Sequence, residues 1–307
     1  MSDQGNGATS ITDITGTTGI TDERVNVNGV DLALRRAGRD GPLALCLHGF
    51  PDTAHTWRHL LPRLADAGYR AVAPFMRGYA PSGVAADGRY QTGVLSLDAN
   101  ALHEALDGDD RAVLVGHDWG AIAAYGAASS APGRWRSVVA MAVPPGGAMG
   151  AAFLGNLDQL KRSWYMFFFQ HGLADMVVPA DDLAFIDMIW RDWSPGHDAT
   201  ADLAHVKVAL REPEHMAAAL GYYRATLGDG YRDPELDEIQ DATQQVPEQP
   251  TLYLHGTDDG CVGVEVAESA RPLVGPHVAI EIVPGAGHFL HLERPDTVND
   301  RILEHLT

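Results

Sequence analysis

The stretch Gly116-His117-Asp118-Trp119-Gly120 constrains the fold more than any other part of this sequence. Before it runs Arg111-Ala-Val-Leu-Val115, an apolar segment that reads as a buried strand. After it comes Ala121-Ile-Ala-Ala-Tyr125, which reads as the start of a helix. A strand and a helix joined by so short a turn need backbone that can double back sharply, and two glycines allow it. The central side chain, Asp118, is then held out over the edge of a sheet. A serine at such a position attacks acyl carbon once a base has taken its proton. An aspartate is already ionised at neutral pH and can attack saturated carbon directly.

The rest of the chain repeats the strand-then-helix theme. Arg24–Val30 and Asp31–Arg36 read as an opening hairpin around Asn28-Gly29. Short apolar strands are predicted at Pro42–Leu47, Tyr69–Ala73, Ala112–Val115, Ser137–Val143, Thr251–Leu254 and Val278–Val283. Helical segments are predicted at Trp57–Ala67, Leu95–Leu106, Ala121–Ser129 and Val298–Leu306. Buried strands alternating with helices imply an α/β fold, with a mostly parallel twisted sheet covered by helices on both faces. Between Pro144 and about Pro247 the alternation stops. Aromatic clusters there (Trp164 to Phe169, Trp190, Trp193, Tyr222-Tyr223) have helical spacing, and no strand stands out. Pro144-Pro145-Gly146-Gly147 opens this stretch and Val246-Pro247-Glu-Gln-Pro250 closes it. The expected organisation is a core of residues 23–145 and 246–307, with a helical cap inserted at 146–245. Residues 1–22, rich in Gly, Ser, Thr and Asp, read as a disordered tail. They carry neither the basic start nor the apolar centre of a signal peptide.

Composition narrows the partners. The net charge of −19 argues against nucleic acid or an anionic membrane surface. No apolar run approaches the roughly 18 residues of a membrane span, so a cytoplasmic protein is expected. Cys46 and Cys261 give no disulfide framework and read as two reduced thiols. There is no H-E-x-x-H, no Cys/His cluster with metal-ligand spacing, and Gly116, Gly120 and Gly126 do not make a G-x-G-x-x-G fingerprint. Neither a metal nor an organic cofactor is expected. Exposed aromatics on a cap could support contacts between two copies, which leaves a homodimer open.

Three further segments complete a pattern with the Asp118 turn. They are His48-Gly49-Phe50-Pro51 after the first core strand, Leu254-His-Gly256-Thr-Asp258-Asp259-Gly-Cys261, and Pro284-Gly-Ala-Gly287-His288-Phe-Leu-His291. Each follows a predicted strand, where open α/β sheets place their ligand sites. From about Val25 to its end the chain resembles the α/β-hydrolase fold family, and within it the epoxide hydrolase branch. The resemblance implies a nucleophile, acid and histidine in that chain order. Asp118 would be the nucleophile. Asp259 would be the acid, with its neighbour Asp258 as the alternative, and His288 the general base. His291 would pack or hydrogen-bond nearby. The oxyanion hole would use the backbone N–H groups of Phe50 and Trp119. Pro51 would be a candidate for the cis form, while His48 and His117 read as loop-packing residues.

The cap separates one chemistry from another. Halide leaves without a proton and suits neutral N–H donors, whereas an epoxide oxygen leaves as an alkoxide and suits a phenol. Ser163-Trp164-Tyr165-Met-Phe-Phe-Phe169-Gln170 and Gly221-Tyr222-Tyr223-Arg224 resemble the family's two cap-tyrosine segments. The donors would be Tyr165 and Tyr223, with Tyr222 as the alternative to the second. The substrate pocket would be lined by Phe50, Trp119 and Trp164, and the substrate would be a small apolar epoxide consumed with water. The alternative is a haloalkane dehalogenase, in which the indoles of Trp119 and Trp164 bracket a halide. Against it, Phe50 cannot offer a side-chain hydrogen bond to halide, and Trp119-Gly120-Ala121 lacks the arginine of fluoroacetate enzymes. A third reading is a catalytically silent receptor on the same fold.

Overall fold

Every residue of β3 (Leu43–Leu47), β5 (Val113–His117) and β6 (Ser137–Met141) is buried. Continuous apolar sequence suits strands that are covered on both faces. Their side chains divide by the period of two. Leu43, Leu45, Leu47 and Leu114 join one core, while Ala44, Cys46, Val113 and Val115 join the other. The computed structural model describes residues 19–307.

Five more strands complete the sheet: β1 (Thr21–Val27), β2 (Val30–Ala37), β4 (Arg70–Pro74), β7 (Thr251–Gly256) and β8 (Val278–Val283). The order is β1-β2-β4-β3-β5-β6-β7-β8. Strands β1 and β2 pair antiparallel, β2 runs antiparallel to β4, and every other neighbour is parallel. Asn28 and Gly29 both have positive φ, 48° and 76°, as a two-residue I′ hairpin turn requires. β1 begins at Thr21, paired with Arg36, so the strand starts two residues inside the segment expected to be a disordered tail. Residues 1–18 of that expected tail lie outside the described residues.

Helices α1 (Leu60–Asp66), α2 (Thr92–Ala105) and α3 (Trp119–Ser130) cover the sheet from opposite sides. Leu60, Leu61 and Leu64 of α1 join the core that holds Val113, whereas Leu95 and Ala99 of α2 and Ala121 and Ala124 of α3 join the core that holds Leu114. The chain order reverses between β3 and β5, so the loops after these two neighbouring strands face each other across a crevice. Those loops carry Phe50 and Asp118. The turn between β5 and α3 is very tight. A Cβ on Gly116 would lie 2.2 Å from the carbonyl oxygen of Gly120, and one on Gly120 would lie 2.1 Å from that of Leu47. Here backbone packs directly on backbone.

Seven helices follow β6: α4 (Ala148–Gly155), α5 (Leu157–Arg162), α6 (Trp164–Phe168), α7 (Ala174–Val177), α8 (Ala180–Trp193), α9 (Thr200–Leu210) and α10 (Pro213–Leu227). They occupy the stretch where strands were not expected. α11 (Asp237–Ala242) lies within the segment expected to be cap, yet it packs on α2 and α3 of the core. The reason is a close approach at Gly93, whose N–H donates to Gln240 Oε1 at 2.7 Å and where a Cβ would sit 2.9 Å from the Gln240 nitrogen. The chain closes with α12 (Val264–Ser269), α13 (Leu290–Glu293) and α14 (Pro295–Leu306). Among the described residues no helix is long and apolar enough to cross a membrane.

The Gly120 contact generates a stability prediction. Gly120→Ala should cost on the order of 3 kcal/mol, because a backbone carbonyl cannot rotate out of the way as a side chain can. Urea unfolding followed by circular dichroism would read this as a lowered midpoint; an unchanged midpoint would mean that β3 and α3 can separate freely.

Candidate active site

Asp118 occupies the turn after β5 with φ 53° and ψ −119°, a backbone conformation rare for any residue with a side chain. Such a conformation stores about 1–3 kcal/mol and persists only when its surroundings over-determine it. Here the Asp118 N–H donates to Met141 O at 3.1 Å and its own carbonyl accepts from the Ala121 N–H at 2.9 Å. The carboxylate is thereby aimed at the loop after β3, where the Phe50 N–H donates to Asp118 Oδ1 at 2.7 Å. Gly49 makes room for this contact, since a Cβ there would lie 2.3 Å from the same oxygen. Burial pushes the Asp118 carboxyl above its ordinary value. His288 and the amides of Phe50 and Trp119 pull it only part of the way back.

His288, on the loop between β8 and α13, meets both carboxylates. Its Nδ1 is 3.0 Å from Asp259 Oδ2, and its Nε2 is 3.8 Å from Asp118 Oδ2 with no hydrogen-bond partner. Burial disfavours the imidazolium, but the carboxylates of Asp259 and Asp118 outweigh it and hold the ring above its ordinary value. Asp259 moves the other way. Burial raises its carboxyl, yet His288, His255 and the Val262 amide overcome that and leave it below the usual range. Its Oδ1 accepts from the N–H groups of Cys261 at 2.7 Å and Val262 at 2.9 Å. Asp258 is exposed and accepts from Thr257 Oγ1 instead, so Asp259 is the member of the pair that meets His288. The end of α8 secures both loops. Trp193 O accepts from the N–H groups of His288 and Gly260, and Ser194 Oγ accepts from the Phe289 N–H.

The three candidate tyrosines have different fates. Tyr222 and Tyr223 are consecutive on α10, about 100° apart around the helix, and so face different neighbours. The Tyr222 hydroxyl donates to Arg77 O at 2.8 Å. Tyr223, 1% exposed, lines a cavity of about 370 Å³ together with Asp118; its hydroxyl makes no well-formed hydrogen bond, and the donor that faces it is the Trp119 indole, which also lines the cavity. Tyr165 is buried but is not among the residues lining that cavity; it lines an outer depression, and its hydroxyl is 3.3 Å from the Sγ of Cys261, a residue of the cavity wall. Burial pushes all three phenols well above their ordinary value, which keeps them neutral. Ile122, Val143, Met149 and Leu227 give the cavity apolar walls.

Two expected pocket residues sit elsewhere. Trp164 is 46% exposed, packs on Phe168 and Phe185, and lines a separate depression of about 400 Å³ with Lys161 and Asp192. The α6 helix is only five residues long, and it turns Tyr165 inward and its neighbour Trp164 outward. Phe50 contributes its amide, while its ring packs against Phe169 and Tyr223 and is not part of the cavity lining. Trp119 does line the cavity, with its indole N–H buried and unpaired.

The remaining loop residues brace the site. The Phe50–Pro51 peptide is cis, and Pro51 O accepts from the Trp190 indole. His48 accepts from the Met76 N–H and donates to Gly49 O. His117 donates through Nε2 to His288 O at 2.9 Å, and His291 Nε2 pairs with Thr56 Oγ1. Behind the cavity Asp52, His117 and His291 present ligand-type atoms within 4.8 Å of one another, and burial pushes the Asp52 carboxyl up to about 7. Cys261 and the end of α8 escaped the sequence reading. Cys261 could have been noticed two residues beyond Asp259; the α8 contacts have no local signal.

The tyrosine geometry predicts unequal effects on stability. Tyr222→Phe should cost about 1–2 kcal/mol by stranding the buried Arg77 carbonyl, whereas Tyr223→Phe should be neutral or stabilising. Denaturant midpoints of the two variants would compare them, and equal losses would contradict the assignment of their hydroxyls.

Comparison with known proteins agrees with the fold. Residues 42–295 match the family described as the alpha/beta hydrolase fold. Epoxide hydrolase A of Mycobacterium tuberculosis is 31% identical, over 94% of this chain and 97% of its own length. Among solved structures, an epoxide hydrolase from an endophytic Streptomyces superposes with a TM-score of 0.77 at 28% identity, covering 94% of this chain and 95% of that one. Epoxide Hydrolase A from Mycobacterium thermoresistibile gives a TM-score of 0.75 at 27% identity, covering 94% and 98%. By this match along most of its length, the chain belongs to the α/β-hydrolase fold family, in the epoxide hydrolase branch.

Proposed function

We propose that this protein hydrolyses an epoxide to a vicinal diol through a covalent ester on Asp118. The observation that carries the reading is the unpartnered Tyr223 hydroxyl, buried in the same cavity as the Asp118 carboxylate. A neutral phenol facing a nucleophilic carboxylate suits a leaving group that needs a proton.

In the first half-reaction Asp118 attacks an epoxide carbon through Oδ2, because Oδ1 is held by the Phe50 amide. Tyr165 and Tyr223 hold the epoxide oxygen, and one of them protonates it as the ring C–O bond breaks. In the second, His288 Nε2 takes a proton from water, which attacks the Asp118 acyl carbon. Asp259 orients the ring and stabilises its cationic form. The Phe50 and Trp119 amides stabilise the tetrahedral oxyanion. As the diol oxygen departs it recovers the proton from His288, and the proton of the restored Asp118 acid returns to the phenoxide. The substrate is a small apolar epoxide, in keeping with the walls of the cavity.

One observation favours a second reading, haloalkane dehalogenation: the Trp119 indole N–H is unpaired in the cavity. The other indole that would bracket a halide, Trp164, lies on the outer depression. Turnover of styrene oxide against a haloalkane separates the two, with diol formation expected and halide release pointing to the alternative. In heavy-oxygen water a single turnover should label Asp118 first and leave the diol unlabelled. With His288→Gln, mass spectrometry should find the ester accumulating on Asp118; label entering the diol directly would overturn the covalent scheme.

The electrostatics predict a pH dependence. Burial lowers the proton affinity of His288, but two carboxylates outweigh it in the free enzyme. Esterification takes the charge off Asp118, 3.8 Å from His288 Nε2, and in this scheme leaves it on a phenoxide, a group with no hydrogen bond to the imidazole. Ester decay needs neutral His288, so its acid limb should lie at lower pH than the titration of His288 in the free enzyme. Single-turnover decay profiles and imidazole NMR would compare the two; an ester midpoint above the free-enzyme titration would contradict the mechanism.

A further inference from the structure

The two phenols of the proposed site are not held alike. Tyr223 has no partner, and Tyr165 has one of an unusual kind, the Cys261 thiol at 3.3 Å. Cys261 is 1% exposed and lines the Asp118 cavity, with Sγ within 4.8 Å of ligand-type atoms of both Asp259 and His288. Its own N–H donates to Asp259 Oδ1, so the backbone that carries the thiol is tied to the acid of the triad. Tyr222 makes the contrast plain, because its hydroxyl is bound to a backbone carbonyl, a strong acceptor. Sulfur is a weak acceptor and S–H a weak donor, so a thiol can locate a phenol without tying up its proton.

We infer that Cys261 is a positioning residue for Tyr165: its thiol holds the phenol oxygen at the cavity wall, with the S–H directed to that oxygen and the phenolic proton left for the substrate. The inference rests on the epoxide reading above. When the Tyr165 proton passes to the epoxide oxygen, the ring C–O bond breaks and the Asp118–carbon bond forms. The S–H stays on sulfur and hydrogen-bonds the phenoxide, an interaction strengthened by the new charge. Burial pushes the thiol well above its ordinary value, so sulfur keeps its proton and does not compete with Asp118 for the electrophile.

The test is a double-mutant cycle on the alkylation rate, measured with excess enzyme over styrene oxide by tryptophan fluorescence. Cys261→Ala should slow alkylation about tenfold, and Cys261→Ser, which restores a donor, should recover most of that loss. In the Tyr165→Phe background Cys261→Ala should change the rate by less than about twofold, because the interaction is already gone. Equal losses with serine and alanine, or the same loss with and without the Tyr165 hydroxyl, would assign Cys261 to packing alone and overturn the inference. An unsubstituted enzyme that forms neither ester nor diol from the epoxide would overturn the proposed function itself. Turnover by that enzyme with no effect of Cys261→Ala would overturn only the role of the thiol.

Discussion

The backbone-on-backbone contact between Gly120 and Leu47 is the constraint on which the rest of the site depends. It brings α3 against β3 at a separation that no Cβ permits, and it leaves the residue between β5 and α3 to absorb the turn. That residue is Asp118, held at positive φ by hydrogen bonds to Met141 and Ala121. With φ over-determined from both sides, the carboxylate has little freedom to point anywhere but at the Phe50 amide. An unfavourable backbone conformation holds a carboxylate in one place because sheet packing elsewhere compensates it.

Electrostatics then link three buried ionisable groups into one unit. Asp118, His288 and Asp259 would each be costly to bury as isolated charges. Together they are tolerable, because Asp259 accepts two backbone N–H groups and the imidazole, and Asp118 accepts the Phe50 amide. The directions of their shifts agree with unequal roles. Asp259, rich in donors, stays a carboxylate, whereas Asp118, with fewer, is raised. The end of α8 joins this unit through Trp193 and Ser194, whose hydrogen bonds to the His288 and Asp259 loops tie the geometry of the three groups to the position of that helix.

Much of this was legible in the residues. The apolar run at Leu43–Leu47 announced a strand, because burial on both faces needs no polar alternation. Asn28-Gly29 announced a hairpin, because few other pairs reach two left-handed conformations in succession. Helix ends were less clear. Trp57–Ala67 reads as a single helix, yet it opens with a 3₁₀ segment at Ala54–His59 before α1. α11 lies before the Val246–Pro250 exit expected for the cap, in a stretch without strands, and its packing on α2 and α3 is a long-range contact that no local signal announces.

Sequence by itself determined the residue types that can do chemistry and the loops that carry them. A carboxylate between two glycines, an Asp-Asp pair after one strand and a histidine after another are local facts, and local geometry is encoded locally. Tertiary structure decided what each side chain faces. It joined Asp259 rather than Asp258 to His288, bound Tyr222 to a carbonyl, left Tyr223 free, turned Trp164 to the outside and set Cys261 against Tyr165. Such choices depend on a fraction of a helical turn and on partners far away in the chain, and no window of neighbouring residues contains them.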